Sequence, residues 1–162
     1  MHHPTPYGAS AYRAIGIETG VATADPLGLI IMLYDGAIQA IGRADLHHVQ
    51  GDIEARGLNT SKAIDIIKQG LAASLDKRVG GALAESLSSL YEYMGRRLFA
   101  ANMSGDRAIY AEVRSLLGEL RESWIALRRS QAPGAWLADV HEKQHAPAPG
   151  EQSPIFGRSF AA

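Results

Sequence analysis

Not one of the chain's seven prolines falls between residues 27 and 132: three stand before that stretch and four behind it. A proline inside a helix removes a backbone donor and clashes with the preceding turn, so a proline-free run of this length is free to be helical throughout. Its richness in Ala, Leu, Ile, Glu and Arg favours that outcome, and it lacks the β-branched alternation of strands. The fold class expected is therefore all-α, with residues 1–24 a mobile leading segment, 25–130 the folded domain and 131–162 a trailing tail.

Four helices can be delimited within the domain. Asp25 is a good N-cap and Pro26 suits the first helical position; apolar residues then recur at Leu27, Ile30, Ile31, Tyr34, Ile38 and Ile41 on one face, until Gly51. A second helix is expected from Asp52 to Asp76, with Ile53, Ile64, Ile67, Leu71 and Leu75 as its stripe. Gly80 and Gly81 mark the next break, after which Leu83, Leu87, Leu90, Met94 and Leu98 form a third stripe ending near Asn102. Ser104 or Gly105 opens a fourth, carried by Ile109, Val113, Leu116, Leu120, Trp124 and Leu127, with Arg128 and Arg129 suiting the negative end of the helix dipole. Short breaks turn the chain back on itself, which gives an antiparallel up-down four-helix bundle. A short helical segment over residues 7–17, with Tyr12 and Ile15 as anchors, is expected before it. The tail is rich in Ala, Pro, Gly and Gln and reads as low-complexity and largely disordered.

Composition removes several classes of function. Sixteen basic against seventeen acidic residues leave a net charge of −1, which offers nothing to nucleic acid. Cysteine is absent, so there are no disulfides and no thiolate metal sites. The first residues lack the basic-then-apolar order of a secretory signal, and no long uninterrupted apolar run is present. A cytosolic protein without membrane insertion is expected.

The string HEKQH at residues 141–145 matches the H-E-x-x-H pattern of zinc peptidases, with His141 and His145 as ligands and Glu142 as base. Such a site needs a third ligand and packed walls that bind substrate, and the tail, broken by Pro147 and Pro149, supplies neither. It is read as a chance match, and neither an enzyme nor a cofactor is expected. His47 and His48 are adjacent on a helix and point about 100° apart, so they cannot share a metal.

Two features exceed the needs of a plain bundle. Glycines interrupt helical stretches at Gly36, Gly42, Gly57, Gly70, Gly95 and Gly118, suggesting close backbone approach. Additional apolar residues flank the stripes: Leu33, Ala37, Ala40, Ala63, Ile66, Tyr91, Tyr93 and Phe99. Three uses are open: a well-filled core, a homodimer face, or a groove for a partner's amphipathic helices.

Several blocks, in order, carry a resemblance: LIIMLYDGAIQAI (residues 29–41), NTSKAIDII (59–67), LAASLD (71–76) followed by GG (80–81), LSSLYEYMGRRLFAAN (87–102) and EVRSLLGELRESW (112–124). Over residues 10–130 the chain resembles the FliS family of flagellar export chaperones. It departs at Ala24-Asp25-Pro26, where many relatives have Ser or Thr before x-Pro, and in its longer tail. The resemblance implies a cytosolic bundle that binds the C-terminal segment of flagellin, prevents its premature polymerisation and assists delivery to the type III export gate. Further partners it leaves open are a co-chaperone and a second copy of the chain. By motif match it implies partner-facing or groove-forming roles for Tyr12, Leu33, Tyr34, Ile38, Ala63, Ile66, Leu90, Met94 and Leu98, with Tyr12 covering the groove until cargo displaces it. Asp35, Gly36, Asn59, Asp76, Gly80, Gly81, Arg97 and Asn102 match the family pattern as well, more as caps, close-packing positions and ion pairs.

Overall fold

A computed structural model of the chain describes residues 25–131. The expectations of a short leading helix, of a disordered tail, of Tyr12 and of the HEKQH string fall outside those residues. Among the described residues there are four helical arms and no strands. Helix α1 is Pro26–Val49. Helix α2 is Ile53–Asp65 and continues without a break as a π-helical segment, Ile66–Leu71, and a 3-10 turn, Ala72–Ser74. Helix α3 is Lys77–Ser104, and α4 is Arg107–Ser130. Contacts divide the chain after Arg128, and of the C-terminal unit, Arg129–Ala162, the described residues are those that finish α4 and its final turn.

The helix ends follow from local chemistry. The Asp25 carboxylate accepts from Gly28 N–H and Pro26 occupies the first turn, as the sequence implies. Gly51 at φ +74° makes the turn into α2, where Asp52 accepts from Ala55 N–H at 3.0 Å. Two boundaries differ from expectation. The second turn is formed by Leu75 and Asp76, because Asp76 caps a first turn of α3 by accepting from Arg78 N–H at 2.9 Å; Gly81, at φ 51° and ψ −130°, then breaks the helical geometry between that turn and the long run of α3, where the glycine pair was expected to mark a break. Helix α3 runs on to Ser104, so α4 begins only at Arg107, after Gly105 in the left-handed region and Asp106, which accepts from Ala108 N–H at 2.9 Å.

Three arginines of α4 pair with three aspartates of α1 in antiparallel register: Arg128 with Asp25, Arg121 with Asp35 and Arg107 with Asp45. Each is solvent-accessible and individually weak, but together they fix how α4 lies along α1. Arg97 of α3 reaches Glu112 of α4 at 2.6 Å, and Arg56 of α2 donates to the Asn102 backbone of α3 at 2.9 Å. Two tyrosine contacts cross the interior diagonally. Tyr34 of α1 meets Tyr91 of α3, and Thr60 of α2 meets Tyr110 of α4 at 2.9 Å. The arrangement is an up-down-up-down bundle.

The core consists of Leu33, Tyr34, Ala37, Ala40, Ile41 and Ala44 from α1, Ala63, Ile66, Ile67 and Leu71 from the α2 arm, Tyr91, Met94, Leu98 and Ala101 from α3, and Ile109, Tyr110, Val113 and Leu117 from α4. Six of the eight flanking apolar residues, Leu33, Ala37, Ala40, Ala63, Ile66 and Tyr91, are thus interior, so the first of the three open uses accounts for them. Three residues placed on the buried stripes are instead exposed, each near a helix end: Ile53 at the first turn of α2, Leu83 just after the Gly81 kink and Leu127 in the last turn of α4. Among the helical glycines, Gly95 is a close approach, since a Cβ there would lie 2.9 Å from Lys68 Cε; Gly118 has open space.

Helix α1 is long and apolar enough over an 18-residue window to cross a bilayer. Its apolar face is the bundle core, and Asp35, Arg43 and Asp45 stand on its outer side, so the composition is that of a core helix.

Candidate functional site

The end of the bundle where α1 begins holds an apolar cleft of about 420 Å³. One wall is the first turn of α1, with Pro26, Leu27, Leu29 and Ile30. The facing wall is the irregular end of the α2 arm, with Leu71, Ser74 and Leu75, and the floor carries Tyr91 of α3 and Trp124 of α4.

Local chemistry builds each wall. Asp25 anchors the first turn of α1 through Gly28 N–H and ties it to α4, where Arg128 Nε donates to Asp25 Oδ2 at 2.9 Å. A Cβ on Gly28 would come within 2.8 Å of Asp25 Oδ1 and 3.3 Å of Arg128 Nη2, so a glycine is needed for this junction. The Gly28 N–H bond and then Arg128 hold the Asp25 carboxyl below its ordinary range. On the other wall, the wide π-helical turn keeps Ile66, Ile67, Gly70 and Leu71 all on the buried side. The 3-10 turn then tightens the chain, Ser74 Oγ donates to Gly70 O at 2.6 Å, and Leu75 leaves the helix in an extended conformation. The cleft therefore has no free side-chain hydroxyl on its walls.

Beneath the cleft lies a three-member polar chain. Trp124 Nε1 donates to the Tyr34 hydroxyl at 3.0 Å, and the Tyr34 and Tyr91 hydroxyls are hydrogen-bonded to each other. The two tyrosine rings sit 6.5 Å apart and tilted at 56°. Burial pushes both hydroxyls up from their ordinary range, so both remain neutral.

The residues singled out by motif match are distributed differently. Leu33, Tyr34, Ala63, Ile66, Met94 and Leu98 are fully buried within the core, and Tyr34 reaches the cleft only through its hydroxyl contacts. Ile38 and Leu90 are half-buried against the core. Of the cleft residues, Leu27, Ile30, Leu71, Leu75 and Trp124 read from sequence as ordinary stripe members, and Leu29 stands in the string LIIMLYDGAIQAI without a stripe position. Their common signal is position at helix ends, where a stripe residue outruns the helices available to cover it.

The opposite end is polar and closely tied. Arg56 bonds His48 at 3.0 Å as well as Asn102, and Thr60 pairs with Tyr110. Among the described residues, no group of three or more His, Cys, Asp or Glu is arranged to hold a metal ion.

Residues 8–131 match the family model described as flagellar protein FliS. The chain belongs to the FliS family. It is 47% identical over 120 residues to the flagellar secretion chaperone FliS of Salmonella typhimurium, covering 74% of this chain and 89% of that protein. The Escherichia coli flagellar secretion chaperone FliS is 38% identical, with 72% of this chain and 86% of that protein covered. The Pseudomonas aeruginosa flagellar secretion chaperone FliSB is 39% identical, with 70% and 89% covered. FliS is a family of chaperones and not of enzymes. Residues 132–162, which include HEKQH, lie beyond the FliS match.

Proposed function

We propose that this chain is a flagellar export chaperone that works in the cytosol and takes as cargo the C-terminal segment of flagellin. The observation that carries this reading is the apolar cleft at the α1 end of a FliS-family bundle, walled by Leu27, Leu29, Ile30, Leu71 and Leu75. An apolar recess of this kind receives the apolar face of a helix, and a segment that is disordered when free folds as it enters. Covering that segment withholds the surface through which flagellin assembles, and the loaded complex is the form presented to the type III export gate.

In this reading the motif-matched residues divide by burial. Leu33, Tyr34, Ala63, Ile66, Met94 and Leu98 hold the helices in the geometry that opens the cleft. Ile38, two turns beyond Ile30 on the same face of α1, and Leu90 of α3 extend the cargo-contacting surface along the bundle. Tyr12 acts as a competitor for the cleft, so removal of residues 1–24 raises cargo affinity. The deciding experiment is isothermal titration of the full chain with a synthetic peptide of flagellin's C-terminal segment at several temperatures. Stoichiometric binding with a large negative heat-capacity change is expected; an intact bundle that does not bind the peptide overturns the proposal.

A further inference from the structure

The polar chain under the cleft does not close on itself. An indole N–H only donates, so Trp124 occupies one lone pair of the Tyr34 oxygen. Tyr34 and Tyr91 bring two hydroxyl protons but share only one hydrogen bond. No other hydrogen bond reaches either oxygen among the described residues, so one proton is left without an acceptor. There are two ways to place it. If Tyr91 donates to Tyr34, the spare proton belongs to Tyr34, whose oxygen already accepts twice and which does not line the cleft. A buried donor without an acceptor is disfavoured. If Tyr34 donates to Tyr91, Tyr34 accepts once and donates once, and the spare proton belongs to Tyr91, which is also buried but whose side chain borders the cleft floor.

The second arrangement is the one in which an incoming ligand can complete the chain. We infer that the Tyr91 hydroxyl is a specificity-determining donor of the cleft, set to bind one carbonyl oxygen of an otherwise apolar helical cargo segment. The terminal turn of a helix offers such an oxygen, because its last carbonyls have no partner within the helix. Binding then adds a hydrogen bond on the floor to apolar burial on the walls. A cargo helix that puts a methyl group at this position leaves the buried Tyr91 donor unpaired, which is how a single hydroxyl discriminates. This inference rests on the cleft being the cargo site, as proposed above.

The test titrates the flagellin C-terminal peptide into the full chain and three variants, with a thermal melt of each. Leu27→Asp tests the cleft itself: the substitution puts a carboxylate into the apolar wall but at the first turn of α1, where a negative charge suits the helix dipole and the fold is kept. Tyr91→Phe tests the donor, and it should lower affinity on the order of tenfold. Tyr110→Phe is the control, since it removes a buried hydroxyl from the Thr60 pair at the far end of the bundle. It should cost comparable thermal stability and leave affinity unchanged. Equal affinity for Tyr91→Phe and the parent, or equal losses in Tyr91→Phe and Tyr110→Phe, overturns the donor role while leaving the cleft as the site. Unchanged affinity in Leu27→Asp overturns the cleft reading underneath it.

Discussion

Leu98 separates packing from recognition, because motif resemblance gives it a groove role while the structure buries it completely between α3 and its neighbours. Replacing it with alanine removes three carbons, a transfer loss of about 2.4 kcal/mol at roughly 0.8 kcal/mol per methylene. The cavity left behind adds to this, since helices pinned by the Arg97 to Glu112 and Arg56 to Asn102 contacts collapse only partly. The total should be about 3–4 kcal/mol, within the range for buried leucines. For a domain of this size that corresponds to a fall of roughly 10–15 °C in melting temperature. Urea unfolding followed by far-UV circular dichroism reads it directly: the midpoint should drop with the slope unchanged, as for a native bundle that is less stable but equally compact. At temperatures where the variant is folded, affinity for the flagellin peptide should stay within about threefold of the parent, because the side chain does not reach the cleft. A stability loss below about 1 kcal/mol together with a large loss of affinity would refute the reasoning, since it would mean that Leu98 is held open for the partner.

Gly118→Ala should stabilise the bundle by about 1 kcal/mol, since the site is mid-helix with open space for a Cβ; a melt of the variant checks it. Gly81→Ala should destabilise it by about 1–3 kcal/mol, because φ 51° with ψ −130° is strained for any residue with a Cβ, and the same melt decides. Towards acid, stability should be full above pH 5 and fall as the pH drops below the ordinary values of 3.8 for Asp25 and Asp45 and 4.5 for Glu112, whose folded carboxyls are held lower by Gly28 N–H, Arg107 and Tyr93 respectively; urea midpoints at stepped pH test the sign. Towards alkali the sign reverses: burial raises Tyr34 and Tyr91 above their ordinary value of 10.0, so their contribution is full below pH 10 and is lost as the pH rises beyond it, which the same series reads.

Much of the bundle was legible because helix-forming signals act locally. Asp25 and Pro26 start α1, Gly51 ends the first turn, and the 3.6-residue periodicity names Tyr34, Ile41, Ile67, Met94, Leu98 and Val113 as interior. What was not legible depends on neighbours. The width of α1's buried arc could not be divided between core and partner until Leu33 and Ala37 were seen to be buried. Gly81 does interrupt the helix, as the Gly80-Gly81 pair implies; what the sequence did not show is the single turn before it, capped by Asp76. The π-helical segment left no sequence signal at all, because Ile66, Ile67, Gly70 and Leu71 fit an ordinary helical stripe nearly as well. The cleft was missed for the same reason: Leu27, Leu71, Leu75 and Trp124 look like core residues in one dimension and become a recess only where the covering helices run out.

The two ends of the bundle are built to different standards, and the difference bears on function. At the far end, Arg56 joins α2 to α3 and to His48 of α1, Thr60 joins α2 to α4 through Tyr110, and Arg107 joins α4 to Asp45 of α1, so every helix is tied to another by directional bonds. At the cleft end, the backbone of α2 passes through π and 3-10 geometry, α3 is kinked at Gly81, and Val79 and Leu83 stand exposed just beyond the turn. Cross-helix ties there include Asp25 with Arg128, Arg121 with Asp35, and the Tyr34, Tyr91 and Trp124 chain. Irregular helix lowers local stability, and segments that must rearrange around a partner are drawn from such regions. Under the proposed function, the far end keeps the four helices in register while the irregular cleft end is the part that widens to take a cargo helix.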